Sequence, residues 1–170
     1  MNKEIRLALT GFMGVGKSSV ARHLENMTGC KRADLDSLIE STGGRTIADI
    51  IDEDGMDRFR EIEAEMLRQT MEREGGLILS LGGGTWTMPR NRELIKTSGF
   101  TSVWLESSFE HCWFNIKFSR KARPLARDKQ KAQQLFEERQ KVYCLADWHF
   151  LVKPGRNSYD IAREILEQVS

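Results

Sequence analysis

The stretch from Gly11 to Ser18, GFMGVGKS, constrains the fold of this 170-residue chain more than any other. It fits the pattern G-x-x-x-x-G-K-[ST], and it lies between an alternating apolar segment and a segment with helical periodicity. A glycine loop in that position turns backbone N–H groups and the positive end of a helix dipole toward one anion. We therefore predict a nucleoside triphosphate site in which Lys17 reaches the β- and γ-phosphates and Ser18 ligates Mg²⁺. An ordinary strand-to-helix turn is the alternative.

Apolar segments recur along the chain and predict its sheet. The strand candidates are EIRLALT, a weaker segment at 30–34, GLILSLGGG, FTSVWLE and WHFLVK, and helical patterns separate them. Strands that alternate with helices indicate a mainly parallel sheet covered on both faces, with ligands at the carboxyl ends of the strands. Between Asp57 and Glu74, the three- and four-residue steps predict the buried face of an amphipathic helix, formed by Phe59, Ile62, Met66 and Thr70.

Composition excludes several classes of protein. Lys and Arg total 26 against 25 for Asp and Glu, so bulk charge gives no reason to expect nucleic acid as a partner. No apolar run reaches the length of a transmembrane helix, and the N-terminus does not resemble a secretory signal. The three cysteines are widely spaced and form no CxxC motif, which is typical of reduced thiols. We expect a cytoplasmic, monomeric, single-domain protein that binds neither membrane nor nucleic acid.

The segment ADLDSLIE carries Asp34 and Asp36, two residues apart. On a strand, that spacing directs both carboxylates to one side. One carboxylate could then hold a water on Mg²⁺, and the other could orient an attacking hydroxyl or take its proton. The alternative is that Asp36 caps a helix that begins near Ser37.

Two further segments suggest an anionic acceptor. Arg60 and Glu63 lie three residues apart on a predicted helix, a spacing that suits a preorganised guanidinium fork for a carboxylate. A solvated ion pair is the alternative. The segment Ser80 to Gly84, SLGGG, ends a buried strand, and its glycines allow a ligand to approach the backbone closely.

A basic segment, SRKARPLAR, runs from Ser119 to Arg127. Basic segments over a phosphate site act as lids that bring charge to the transition state. A solvated basic loop is the alternative. No aromatic residues are interleaved here, so the segment does not resemble a single-stranded nucleic-acid site.

Taken in order, these motifs resemble the shikimate kinase family over nearly the whole chain. The resemblance rests on GFMGVGKSSVA, DLDSLIE, FREIE, LSLGGG, Asn91-Arg92, RPL at 123–125 and ERQKVYCLAD at 138–147. It implies an α/β, three-layer P-loop kinase fold with a five-stranded parallel sheet of the nucleoside monophosphate kinase type. It also implies transfer of the γ-phosphoryl group of ATP to the 3-hydroxyl of shikimate, in aromatic amino-acid biosynthesis. A single kinase domain, 1–170, would contain a shikimate-binding helical segment at about 35–62 and a lid at about 113–128.

The resemblance also implies roles for individual residues. Nucleotide binding falls to Gly11, Met13, Gly14, Val15, Gly16, Lys17, Ser18, Ser19 and the lid residue Arg123. Shikimate binding falls to Asp36, Arg60, Glu63, Gly82, Gly83, Gly84 and Arg139. Ser18 would contact Mg²⁺ directly, and Asp34 and Ser80 would contact it through water. The catalytic set is Lys17, Asp36 and Arg123.

Two other functions remain open from the sequence. One is a P-loop kinase for another small hydroxylated acid, such as quinate or gluconate, because two arginines favour a carboxylate without specifying the ring. The other is a catalytically silent ATP-binding regulator. Such a regulator would keep the phosphate loop and lose the acceptor residues, and here the arginines, the aspartates and the three glycines are all present.

Overall fold

The computed structural model describes residues 4–119 and 126–169. The strands are β1 (Arg6–Thr10), β2 (Lys31–Asp34), β3 (Leu77–Ser80), β4 (Thr101–Glu106) and β5 (Trp148–Leu151). The helices are α1 (Lys17–Thr28), α2 (Leu35–Gly43), α3 (Ile47–Asp54), α4 (Met56–Met71), α5 (Pro89–Thr97), α6 (Phe109–Lys117), α7 (Lys129–Tyr143) and α8 (Ser158–Val169). A short 3-10 helix, Thr85–Thr87, precedes α5.

The five strands form one sheet in the order β2-β3-β1-β4-β5, and the four neighbouring pairs are all parallel. This confirms the predicted five-stranded α/β fold and each of the five strand candidates. In the register, Leu9 of β1 and Asp34 of β2 both pair with Ser80 of β3. The carboxyl ends of β1, β2 and β3 therefore meet at one edge of the sheet, where ligands of such folds bind.

The central strands are buried because helices cover them. Leu9, Ile78, Leu79, Val103 and Leu105 are among the residues with no exposed surface. Strands buried on both faces are expected to be continuously apolar, as LILS in β3 nearly is. No helix in the described ranges is both long enough and apolar enough to cross a membrane.

The predicted buried face of α4 is partly wrong. Phe59 and Thr70 are buried, but Ile62 and Met66 are only partly buried, and Glu63 and Leu67 lie at the centre of the stripe. The stripe therefore runs through a carboxylate. A prediction from apolar periodicity selects Ile62 and Met66, whereas the buried positions are the next residues, Glu63 and Leu67. Tertiary contacts, described below, explain why a glutamate is accommodated there.

Candidate active site

The phosphate loop connects β1 to α1 in the predicted way. Gly14 and Gly16 have φ angles of 82° and 105°, a left-handed region that favours glycine. Gly16 is also the N-cap of α1 and provides no side-chain cap, so the first N–H groups of the helix are left to a ligand. A Cβ on Gly14 would lie 2.5 Å from the carbonyl oxygen of Cys112, because α6 packs closely against the loop.

The ammonium group of Lys17 lies along this loop. Its Nζ donates hydrogen bonds to the carbonyl oxygens of Gly11, at 2.7 Å, and Phe12, at 3.2 Å. The side chain thus bends back over the segment that would surround an anion. This is the position in which a lysine contributes a positive charge next to nucleotide phosphates.

A cavity of about 380 Å³ opens beside the loop. Its lining includes Met13, Gly14, Gly16, Lys17, Ser18, Ser19, Asp34, Asp36, Leu81, Gly82, Gly83, Asn115 and Ser119. Ten of these residues were predicted as site residues from the sequence, and they come from β2, α1, α2 and the loops after β1 and β3. The cavity therefore joins the predicted phosphate site to the predicted acceptor site.

Asp34 and Asp36 both reach this cavity, but not as neighbours on one strand. β2 ends at Asp34 and α2 begins at Leu35, so the expectation of a shared strand face is wrong. Asp34, not Asp36, caps α2, because its Oδ1 accepts a hydrogen bond from the Ser37 N–H at 3.0 Å. Its other oxygen, Oδ2, accepts one from Ser18 Oγ at 3.2 Å. Asp36 lies in the first turn of α2 and is not the N-cap.

The oxygens of Ser18 and Asp34 are suited to Mg²⁺, which prefers hard oxygen ligands. Ser80 is buried, and it pairs in register with Asp34 at the sheet edge. Within residues 4–119 and 126–169, no group of three or more His, Cys, Asp or Glu could hold a metal. Mg²⁺ is usually bound by one or two carboxylates together with substrate phosphates. This sparse oxygen set therefore fits an Mg²⁺ ion that arrives with a nucleotide.

The glycine loop Gly82–Gly84 is the point at which distant side chains converge. A Cβ on Gly82 would lie 2.7 Å from Asp36 Oδ1, and one on Gly84 would lie 2.2 Å from Arg60 Nη2. A Cβ on Gly83 would lie 2.9 Å from Arg139 Nη1. None of the three glycines has a positive φ. Glycine is required here because three functional side chains occupy the space that a side chain would fill.

In the Arg60–Glu63 pair, Glu63 is buried and Arg60 is partly buried, so the solvated ion pair considered from the sequence is wrong. Arg60 Nη1 donates to Glu63 Oε1 at 2.7 Å, and the two side chains are 15% and 1% exposed. The second oxygen, Oε2, accepts a hydrogen bond from Thr85 Oγ1 at 2.9 Å. Burial raises the pKa of Glu63, while the charge of Arg60 and these hydrogen bonds oppose that rise. The pair holds the guanidinium in one orientation against the glycine loop.

Arg139 of α7 provides a second buried cation. It is 6% exposed and lies over the ring of Phe12, 5.9 Å from its centroid. Burial lowers the pKa of its guanidinium, and the nearby charge of Arg60 lowers it further. In the described part of the chain, no carboxylate lies within salt-bridge distance of Arg139. A buried cation is costly unless an anion compensates it.

Tyr143 connects α7 to the glycine loop. Its hydroxyl donates a hydrogen bond to the carbonyl oxygen of Gly83, and burial raises its pKa to about 12. Nearby, Trp86 Nε1 donates to the carbonyl oxygen of Val142 at 3.0 Å. These two bonds fix the loop relative to the helix that carries Arg139.

The remaining predicted residues fall into three groups. Gly11, Val15 and Ser80 are buried below the cavity lining, and Arg60, Glu63, Gly84 and Arg139 adjoin the cavity through the glycine loop. Arg123 and most of the basic segment lie outside the described residues. Of the same segment, Arg127 is described, and it lies 3.9 Å from Asp52 of α3.

Several residues of the site were missed by sequence reasoning. Asn115 lines the cavity and donates from Nδ2 to the carbonyl oxygen of Gly14 at 2.8 Å. In the sequence, Asn115 is a polar residue among apolar ones within the expected lid at about 113–128, and no role was predicted for its side chain. Thr85 and Tyr143 support the acceptor side, and both directly follow or lie within motifs that were recognised. Ser119 also lines the cavity. It is the first residue of the basic segment, but no role was predicted for its side chain.

Comparison with known proteins gives a consistent result. A family model described as shikimate kinase matches residues 13–170. A shikimate kinase from Persephonella marina is 33% identical over 95% of this chain and 96% of its own length. One from Streptococcus thermophilus is 37% identical over 92% of this chain and 96% of its own length.

Solved structures agree with these sequence relatives. A shikimate kinase from Acinetobacter baumannii, in complex with shikimate, superposes with a TM-score of 0.88 at 31% identity, over 99% of this chain and 94% of that one. The enzyme from Aquifex aeolicus superposes with a TM-score of 0.82 at 31% identity, over 97% and 96%. A gluconokinase from Sinorhizobium meliloti has a TM-score of 0.61 at 16% identity, over 98% and 92%. At that identity it shares the fold alone.

Proposed function

This chain belongs to the shikimate kinase family, and we propose that its cavity is the place where the γ-phosphoryl group of ATP passes to the 3-hydroxyl of shikimate. The products are shikimate 3-phosphate and ADP, in the pathway to aromatic amino acids. The activity follows from family membership, and the residue roles below are our assignment from the geometry of this chain.

The glycine loop carries the assignment. Gly82 and Gly83 line the same cavity as Lys17, while Gly83 and Gly84 contact Arg139 and Arg60. One short backbone segment thus lines the phosphate side of the cavity and also contacts the buried guanidinium of Arg139 and the partly buried guanidinium of Arg60. That arrangement suits a donor phosphate and a small anionic acceptor bound side by side.

The two arginines bind the carboxylate of shikimate. Glu63 accepts a hydrogen bond from Nη1 of Arg60, and the other N–H groups of the guanidinium are left for the ligand. Arg139 lacks a carboxylate partner among the described residues, so an incoming carboxylate relieves the cost of burying its charge. Backbone N–H groups of Gly82, Gly83 and Gly84 bind the ring next to these arginines. Asp36 accepts hydrogen bonds from the shikimate hydroxyls.

Phosphoryl transfer depends on positioning and on charge neutralisation more than on a strong base. The N–H groups of the phosphate loop and Lys17 hold the nucleotide phosphates and offset the charge that develops on them. When bound to Ser18, and to Asp34 and Ser80 through water, Mg²⁺ would neutralise phosphate charge. Arg123, in the proposed lid at about 113–128, supplies a further charge. Asp36 orients the 3-hydroxyl and receives its proton as the new bond forms.

Further assignments rest on the sequence alone. We propose that the helical segment at about 35–62 forms the shikimate-binding part of a single kinase domain. The protein is a cytoplasmic monomer that acts on a small-molecule substrate and on no nucleic acid or membrane. Size-exclusion chromatography with light scattering tests the monomer assignment, and a dimer mass at micromolar concentration would contradict it.

A coupled ADP-release assay over a panel of acceptors tests the function. With ATP and Mg²⁺, we expect the amount of ADP released to be proportional to the amount of shikimate added. We expect little ADP release with quinate, gluconate or nucleoside monophosphates. Asp36→Asn, which keeps the size of the side chain but loses its charge, should lower kcat by about 100-fold. Turnover on another hydroxy acid and none on shikimate would overturn the acceptor assignment. Full activity of Asp36→Asn would remove Asp36 from the site.

A further inference from the structure

Thr85 directly follows the glycine loop and opens the 3-10 helix Thr85–Thr87. Its side chain has no exposed surface. Both backbone polar groups of Thr85 are hydrogen-bonded. The Thr85 N–H donates to the carbonyl oxygen of Gly82 at 3.1 Å, and the Thr85 carbonyl oxygen accepts from Asn91 Nδ2 at 3.0 Å. Thr85 is therefore a rigid point within the acceptor side of the site.

The hydroxyl of Thr85 completes the environment of Glu63. Thr85 Oγ1 donates to Glu63 Oε2 at 2.9 Å, and Arg60 Nη1 donates to Oε1 at 2.7 Å. Each oxygen of the Glu63 carboxylate thus has one hydrogen-bond donor, and Glu63 links Thr85 to Arg60. Since Glu63 is 1% exposed, water does not readily replace either donor. Loss of one donor from a buried carboxylate is expected to cost more than an average hydrogen bond.

We propose that Thr85 is a positioning residue that orients Glu63, and through Glu63 orients Arg60, for the carboxylate of the acceptor. The inference rests on the proposed function, because it assumes that Arg60 binds the carboxylate of shikimate. Thr85 itself is buried and is not among the residues that line the cavity. It selects the rotamer of Glu63 in which Oε1 faces Arg60, and Arg60 then lies against Gly84.

The charges around Glu63 make its protonation sensitive to the hydrogen bond from the Thr85 hydroxyl. Arg60 of its own helix favours the ionised carboxylate, and so does Arg139 of α7, whereas Asp36 of α2 opposes it. Burial has the largest effect and raises the pKa of Glu63. The Thr85 hydrogen bond acts in the opposite direction and favours the carboxylate form. Without it, Glu63 takes up a proton at a higher pH and releases its hold on Arg60.

Three variants test this role. Thr85→Val keeps the shape of the side chain but removes the donor, and Thr85→Ser keeps the donor but removes a methyl group. Thr70→Val is the matched control, because Thr70 is equally buried and its hydroxyl bonds only the carbonyl oxygen of Met66 within α4, at 2.7 Å. We expect Thr85→Val to raise the KM for shikimate about tenfold, with the KM for ATP within about twofold of wild type. Thr85→Ser and Thr70→Val should keep both KM values within about twofold.

The pH profile separates orientation from packing. In wild type, the KM for shikimate should rise as the pH falls through the pKa of Glu63, because protonated Glu63 no longer forms the ion pair that orients the Arg60 guanidinium. In Thr85→Val that rise should begin at a higher pH, and in Thr85→Ser it should coincide with wild type. A lost packing contact would change KM without moving the pH at which the rise begins.

Each result bears on the proposal. An unchanged KM for shikimate and an unchanged pH profile in Thr85→Val would overturn it, as would equal rises in both KM values. If Thr85→Val does not fold, Thr85→Ala compared with Thr85→Ser gives the same contrast, with shikimate binding measured by calorimetry. Wild-type protein without shikimate turnover would overturn the proposed function and this inference together. Wild-type turnover with a Thr85→Val variant that behaves like wild type would overturn this inference alone.

Discussion

The two halves of the site are built in different ways. The proposed phosphate half consists of consecutive residues, Gly11 to Ser18, and presents mainly backbone N–H groups and one lysine. The acceptor half draws on α2, α4, the glycine loop and α7. Its bonds join residues far apart in the chain, since Thr85 and Glu63 are 22 positions apart and Tyr143 and Gly83 are 60 apart.

The two halves also differ in burial. Around the glycine loop, Glu63, Arg139 and Tyr143 are buried, and burial shifts the pKa of each. Perturbed titratable groups of this kind are typical of functional sites. In the phosphate half, charge is offset by backbone dipoles that the local fold orients. The first half therefore depends on local conformation, and the second depends on tertiary packing.

The largest expected effect lies in the phosphate half. Lys17→Met removes the charge that lies over the loop, and we expect kcat to fall by roughly 1,000-fold or more, measured by ADP release at saturating ATP and shikimate. Lys31→Met is the control, because Lys31 is exposed on β2 outside the cavity, and it should retain full activity. Substantial residual activity of Lys17→Met would remove Lys17 from the phosphate site.

The next effect belongs to the acceptor half. Arg139→Ala removes a buried guanidinium, and we expect the KM for shikimate to rise about 100-fold while the KM for ATP changes less than threefold, because charge-assisted hydrogen bonds to the acceptor are lost. Arg58→Ala is the control, since Arg58 is exposed and forms a surface ion pair with Glu61. If both KM values rose equally in Arg139→Ala, the separation between the two halves would be contradicted.

The smallest effect tests the glycine loop. In Gly84→Ala the new Cβ would meet Arg60 Nη2 at 2.2 Å, so Arg60 must shift, and we expect the KM for shikimate to rise about tenfold. Gly43→Ala is the matched control, because nothing lies within 4 Å of its Cβ, and there alanine should stabilise α2 by roughly 0.5 kcal/mol. Steady-state kinetics and thermal unfolding measure the two effects. An unaltered KM in Gly84→Ala would show that the close approach of Arg60 does not matter for binding.

Sequence patterns predicted the fold more completely than the side-chain contacts. The five strands follow from apolar periodicity, and the phosphate loop follows from one local motif. The buried face of α4 was displaced, because no periodicity rule places a glutamate at the centre of an apolar stripe. The cap of α2 was assigned to Asp36 as one alternative, although the strand extends only to Asp34 and that residue caps the helix.

The sequence by itself determined the class of fold and the conformation of the loop between β1 and α1, because both depend on local patterns: the alternation of apolar residues, and glycines at fixed positions before a lysine. The order of its motifs also indicated the family. Only the tertiary structure decided how the acceptor residues meet. Whether Arg60 and Glu63 form a solvated pair or a buried clamp depends on Thr85 and on burial, and neither is visible in the spacing of three residues. The requirement for three glycines has the same origin, since it reflects side chains from three helices that occupy the space beside the loop.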